Sequence, residues 1–218
     1  MSSELNEYNK KRDFEKTQEP QGQSASQEGF KFVVQHHIAR RDHYDFRLEW
    51  KGSMLSWAIP KGPSYNPSDK RLAIKVENHP LDYRNFEGTI PKGEYGGGVV
   101  MIWDEGDWQP HVDVDKALEM GVIKFDLKGQ RLKGKWTLVR IDKEKDDKNW
   151  LLLKEKDSYA LNEDGVSQFI TSIRTGRKME EIEKGQERKN KLPFNETEIQ
   201  FAKLVSKGVQ DGDWVFEP

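Results

Sequence analysis

Between Phe30 and Lys154 the chain alternates apolar and polar residues in short runs, each closed by glycine or proline. That period-2 pattern marks strands with one face turned inward, and many short strands of this kind build a sandwich or a barrel. The expected strands are Phe30–His37, His43–Trp50, Met54–Ile59, Leu72–His79, Gly98–Trp103, Ile123–Leu127, Lys135–Ile141 and Trp150–Lys154. Lys51-Gly52, Pro60-Lys61-Gly62-Pro63 and Pro91-Lys92-Gly93 supply turns between them. A helix is expected at Val114–Met120, capped by Asp113 and stopped by Gly121, and Val166–Ile173 has the spacing of a second. The fold class is all-β.

Both ends of the chain look different. Residues 1–28 are polar and read as an amino-terminal arm. From Arg174 to Lys191 charge dominates, which predicts a solvated linker, and the last stretch, Leu192–Pro218, ends at Asp213-Trp214-Val215-Phe216-Glu217-Pro218, like the first strand of another domain. Only 34% of residues are hydrophobic, yet 7 Trp, 6 Tyr and 10 Phe suffice for a core because each ring buries a large area. The absence of cysteine excludes disulfides, thiolate nucleophiles, zinc fingers and iron–sulfur clusters. With no apolar run long enough for a membrane helix and no secretory signal, a cytoplasmic setting is expected. A net charge of −2 does not argue against nucleic acid, since a basic face can be offset elsewhere.

Strand geometry makes His43–Trp50 the most informative run. Tyr44, Phe46, Leu48 and Trp50 share one face; His43, Asp45, Arg47 and Glu49 share the other. In isolation the polar face reads as the wet side of a sheet. Two neighbours shift the balance. His37 lies across a short loop from His43, and a second run segregates Leu72, Ile74 and Val76 from Arg71, Lys75, Glu77 and His79. Two imidazoles and a carboxylate, His37, His43 and Asp45, form a common donor set for a first-row divalent ion when sulfur is absent. Mn²⁺, Fe²⁺ and Zn²⁺ are all admissible. Arg47, Lys61 and Arg71 add positive charge suited to a phosphate ester. A non-haem iron oxygenase is the rival chemistry, since His43 and Asp45 with His79 also spell a facial triad. It leaves His37 idle and gives the three cations no task.

Taken together, these residues resemble the 3′-phosphoesterase module of bacterial and archaeal DNA ligase D. The resemblance rests on Phe32-Val33-Val34-Gln35-His36-His37, His43-Tyr44-Asp45-Phe46-Arg47-Leu48-Glu49 and Ser56-Trp57-Ala58-Ile59-Pro60-Lys61-Gly62-Pro63-Ser64. It continues through Lys70-Arg71-Leu72-Ala73, Val76-Glu77-Asn78-His79-Pro80-Leu81-Asp82-Tyr83, Phe86-Glu87-Gly88-Thr89-Ile90-Pro91, Gly93-Glu94-Tyr95-Gly96 and Trp103-Asp104. Three positions depart from the family pattern: Asp42 replaces a leucine, Asn78 an aspartate and His36 a lysine.

The resemblance implies a compact closed β-barrel of about eight strands, with one or two short helices and polar tails, whose interior holds Mn²⁺, with Zn²⁺ or another divalent ion as substitute. It implies removal of a 3′-terminal ribonucleoside from DNA, then of the remaining 3′-phosphate, in non-homologous end joining. His37, His43 and Asp45 are the implied metal ligands. Arg47, Lys61, Arg71 and His79 are the implied phosphate-contacting and catalytic set, with Glu77 and Tyr83 in support. Arg12, Asp13 and Glu19 match a segment that affects activity, so the arm of residues 1–28 is expected to fold over the mouth of a domain spanning residues 29–180. Residues 181–218 would lead into a ligase domain. The implied partners are DNA 3′ ends, the ligase domain of a parent polypeptide and a Ku-type end-binding protein, with the chain itself a monomer. A non-catalytic module that binds DNA ends is the alternative.

Overall fold

The structure, a computed structural model, describes residues 5–23, 29–142 and 146–186. Nine strands dominate it: β1 (Lys31–Ile38), β2 (Asp42–Trp50), β3 (Ser53–Ile59), β4 (Arg71–Pro80), β5 (Gly88–Ile90), β6 (Gly98–Pro110), β7 (Val122–Gly129), β8 (Lys133–Asp142) and β9 (Asp146–Lys154). All pairings are antiparallel and run β1-β2-β3-β4-β9-β8-β7-β6, and β6 returns to β1. Eight strands therefore close a barrel, with β5 added beside the first residues of β6.

Closure depends on β6, which is long enough to change partners. Its first part pairs with β1 and its last part with β7, and Gly106 belongs to both pairings, opposite Phe32 and Gly129. A Cβ at Gly106 would lie 2.2 Å from the Lys128 carbonyl oxygen, so the seam admits no side chain there. This double pairing carries β6 well beyond the expected end at Trp103. The three-residue β5 is too short for an alternation signal and was not expected.

One parity of each barrel strand fills the interior. Phe32, Val34, Phe46, Leu48, Trp57, Ala73, Met101, Trp103, Phe125, Leu127, Trp136, Leu138, Trp150 and Leu152 form one buried cluster. Trp57, Trp103, Trp108 and Trp136 are thus core residues, and burying a ring such as Phe46 or Phe125 stabilises by about 1.5–3 kcal/mol each. α2 (Val114–Met120) forms as expected: Asp113 accepts a bond from the Lys116 amide, and Gly121 ends the helix at φ +82°.

The flanking segments differ from the linear reading. Val166–Ile173 contains only a 3-10 turn at Val166–Gln168, after which Phe169 enters the core. Within the stretch read as solvated linker lies α3 (Met179–Glu183), whose Ile182 is buried in the main cluster. Two apolar residues, Met179 and Ile182, in a charged run are too few to establish a periodicity. The amino-terminal arm is packed where it is described: α1 (Asn6–Lys10) buries Tyr8, whose hydroxyl donates to the Pro20 carbonyl at 2.7 Å. The expected ligase-leading strand at residues 213–218 lies outside the described residues.

The outer wall of β1, β2 and β6 is covered as well. The arm and the 3-10 turn Leu81–Asn85 lay Tyr8, Tyr83 and Phe86 over Ile90 and Val100, while Leu81 joins Val33, Met54 and Ile102. Asp45, Arg47 and Glu49 consequently sit at 7%, 2% and 3% exposure instead of facing water. Such burial is costly for charges unless they are paired or bind an ion.

Candidate metal centre

His37 and His43 face each other directly across the β1–β2 pairing, and Gln35 faces Asp45. Ring centroids of the two histidines are 4.8 Å apart. Asp45 Oδ2 lies 3.6 Å from His37 Nδ1, and Asp45 Oδ1 lies 3.7 Å from His43 Nε2. One donor atom from each residue falls within 4.8 Å of the others, which makes the three a candidate metal set. By strand parity they point away from the aromatic core, onto the covered outer wall. The expectation of an ion in the barrel interior is corrected accordingly: large rings already fill that interior.

Orienting bonds free the right atoms. His37 Nε2–H donates to the Gly96 carbonyl at 2.9 Å, leaving Nδ1 toward Asp45. His43 Nδ1–H donates to the Arg41 carbonyl at 2.9 Å, leaving Nε2 toward Asp45. Fixing the tautomer of a ligand by a carbonyl on its far nitrogen is the usual arrangement around bound metals. Asp45 accepts from Arg47 Nη2 at 3.0 Å. Burial alone would raise the Asp45 carboxyl, but Arg47 together with His37 and His43 holds it below the ordinary carboxylate range. The donor set fits a divalent first-row ion: two oriented imidazole nitrogens and one ionised carboxylate.

Arg47 is the main fixed cation beside this set. Its Nε donates to Gln35 Oε1 at 2.9 Å, its guanidinium lies 4.9 Å from the Tyr83 ring centroid, and its Nη1 is buried without a hydrogen-bond partner among the described residues. Gln35 is held in turn by the Tyr83 and Phe86 carbonyls, at 3.1 and 2.9 Å. Gln35 belongs to the family motif, and its only local signal in the sequence is a lone amide following apolar Val33 and Val34 in a buried strand.

Arg12 closes one side of the cavity. Its Nε donates to Glu19 at 2.8 Å, Nη1 to Glu77 at 3.4 Å and Nη2 to His79 Nε2 at 3.2 Å, with the guanidinium 3.7 Å over the Tyr8 ring. His79 Nδ1–H donates to the Glu77 carbonyl. Burial, then Arg47 and Arg12, holds the His79 imidazole well below its usual pKa, so it is neutral. Tyr83 packs edge-on against His79 at 4.7 Å, and burial keeps its hydroxyl protonated.

Together these residues line a cavity of about 220 Å³ with Arg12, Glu19, His37, His43, Asp45, Arg47, Glu77, His79 and Tyr83 in its walls. Val76 and His79, of opposite parity in β4, both line it because β4 slips against β3 between Met54 and Ser56. The expected core face of β4 is reversed: Ala73 is interior, Leu72 is 40% exposed and Val76 lines the cavity. Other expected residues lie elsewhere. Arg71 pairs with Asp69 and Asp164, Lys61 is exposed in the loop after β3, and Asp13 bonds Lys16 at the surface. His36 and Asp42, two of the family departures, pair with each other at 2.6 Å.

The sequence pattern of the family described as the DNA Ligase D 3′-phosphoesterase domain matches residues 35–140. The chain is 48% identical over 162 residues to the Multifunctional non-homologous end joining protein LigD of Pseudomonas aeruginosa, covering 73% of this chain and 19% of that protein. It is 38% identical over 177 residues to the Multifunctional non-homologous end joining DNA repair protein LigD of Mycobacterium tuberculosis, covering 79% and 23%. Against the LigD of Mycolicibacterium smegmatis it is 38% identical over 165 residues, covering 72% and 21%. The chain thus spans about a fifth of the length of these relatives. The closed barrel, the covered outer wall and these likenesses lead to one assignment: the chain belongs to the DNA ligase D 3′-phosphoesterase family.

Proposed function

We propose that this domain heals DNA 3′ ends, using a divalent ion, Mn²⁺ in the first instance, held by His37, His43 and Asp45. It would remove a terminal ribonucleoside, then the 3′-phosphate, leaving a 3′-hydroxyl for a ligase in the same polypeptide. The observation that carries the reading is the buried, unpartnered Nη1 of Arg47 beside the three-residue donor set. An unsatisfied guanidinium nitrogen in a cavity calls for an anionic oxygen.

A bound divalent ion supplies Lewis-acid charge neutralisation and a more acidic water. The protein's side chains do the rest. Arg47 binds a phosphate oxygen through Nη1 and gains charge stabilisation as negative charge shifts in the transition state. Asp45 and Gln35 hold that guanidinium in place. Among the cavity's fixed charges, Arg12 and Arg47 are outnumbered by Glu19, Asp45 and Glu77, so the cavity favours an anion only when a divalent cation is present. His79 has no proton on Nε2, which accepts from Arg12; this supports a role in placing Arg12, not the proton donation to the leaving oxygen that its residue type suggested. Lys61 and Arg71, outside the cavity, are assigned to the DNA beyond the terminal phosphate; Asp13, an acid paired with Lys16 at the surface, takes no DNA contact in this reading. A monomer bound to DNA near a Ku-type end-binding protein, in the cytoplasm, is the corresponding setting. Among the described residues no helix is long and apolar enough to cross a membrane.

The test is a primer–template with a 3′-terminal ribonucleotide, incubated with the chain and Mn²⁺. Two products are expected in succession, ending in 3′-phosphate and then 3′-hydroxyl. An unchanged primer in the presence of folded, metal-bound protein would overturn the esterase reading, and DNA binding under those conditions would favour the end-binding module.

A further inference from the structure

Tyr95 is 46% exposed, yet it lines the cavity that holds the donor set. Its placement is fixed by two successive turns. The Glu94 amide donates to the Pro91 carbonyl and the Gly97 amide to the Glu94 carbonyl. Each turn has glycine third in order with positive φ, Gly93 at +99° and Gly96 at +77°. Tyr95 is second in the second turn, a position that faces outward. Its neighbour Gly96 accepts the bond from His37, so the ring stands one residue from a metal-ligand contact. The other two tyrosines in this region, Tyr8 and Tyr83, are at 0% and 3% exposure and packed on protein. Lys11 Nζ and the Arg12 guanidinium lie 5.1 and 5.3 Å from the Tyr95 ring centroid. Lys11 and Arg12 lie over this ring and are themselves paired with Glu77 and Glu19, so what Tyr95 offers at the mouth of a phosphate-binding cavity is its exposed π-surface, which a terminal base requires.

We propose that Tyr95 is the platform on which the base of the 3′-terminal nucleotide stacks while its phosphate lies at Arg47. This deepens the proposed function and rests on it. The domain then recognises a nucleoside with its base and not a bare sugar phosphate. Stacking on an aromatic ring is sequence-tolerant, so all four bases are accepted at the end.

The experiment uses two duplexes ending in a 3′-phosphate, one on an ordinary nucleotide and one on an abasic residue. Binding is measured by fluorescence anisotropy with Mn²⁺, and phosphate release is measured separately. The full chain is expected to favour the base-bearing end by about 5- to 100-fold in affinity. In Tyr95→Leu, which keeps bulk under Lys11 but has no π-face, that ratio collapses toward one, and in Tyr95→Trp it is retained. A ratio unchanged in Tyr95→Leu, or absent in the full chain, would overturn the platform. Preferential binding of the base-bearing end without any phosphate release would leave the platform standing and remove the esterase reading.

Discussion

Asp45 and Arg47, two residues apart on β2 and joined at 3.0 Å, tie the carboxylate of the candidate donor set to the guanidinium proposed to meet a phosphate. Neither can shift without moving the other. Arg47 also lowers the Asp45 pKa against the strong opposing effect of burial, so the pair keeps an anion available where two imidazoles converge.

Replacing Asp45 with Asn removes the charge and keeps the shape. Mn²⁺ affinity by titration calorimetry is expected to fall at least about 100-fold, more than loss of an orienting partner costs. Added Mn²⁺ is expected to raise the melting temperature of the unaltered chain through binding to the native state. The Asn variant should show no such rise at the same concentration; an equal rise in both would refute the ligand set.

His43→Ala is expected to abolish both end-trimming steps while leaving the barrel folded, since His43 is half-buried at the rim and outside the aromatic core. Circular dichroism and a product gel read the two parts independently. Retained Mn²⁺-dependent phosphate release would refute the assignment.

His79 gives acid sensitivity a location. Its native pKa is depressed below 6.5, so below that pH the unfolded chain binds a proton that the native state refuses. Stability attributable to this group is therefore constant above about pH 6.5 and falls by about 1.4 kcal/mol per unit as pH drops below it. In His79→Gln that slope disappears. Urea midpoints from pH 5 to 8, compared between the two proteins, check it; parallel curves would contradict it.

Asp104 works in the opposite sense. Its oxygens accept from the amides of Gln130, Arg131 and Leu132 at 3.0, 3.0 and 2.7 Å, yet burial pushes its pKa up to about 6 from 3.8. Between those values the native state binds the extra proton, so this contribution declines as pH rises through the window and is flat above it. The decline is on the order of 2–3 kcal/mol. Asp104→Asn does not titrate, so the stability difference between the two proteins should shrink from pH 4 to 6. A difference independent of pH would show that the three amide bonds, not burial, set the ionisation.

Residue spacing carried the barrel strands because each interior position recurs with period 2, and it placed His37, His43 and Asp45 together because they sit on adjacent strands. What it could not carry is tertiary. The slip of β4 against β3 reverses parity along the strand, so Val76 and His79 share the cavity wall while Leu72 faces out, and no local pattern announces a slip. Arg12 reaches His79 across 67 residues of chain, from a segment whose composition resembles a loose tail. Arg71 matched the family motif, but two aspartates, one of them distant in the chain, hold it away from the cavity.

All three candidate ligands are supplied by a single hairpin, β1 and β2. The coordination geometry is therefore inherited from strand alignment. Sliding β2 past β1 by one position would swing its imidazole and acid toward the aromatic interior and leave His37 alone. Ion uptake by the proposed donor set would thus gauge whether the first two strands have mated correctly, since a misaligned chain could not assemble it.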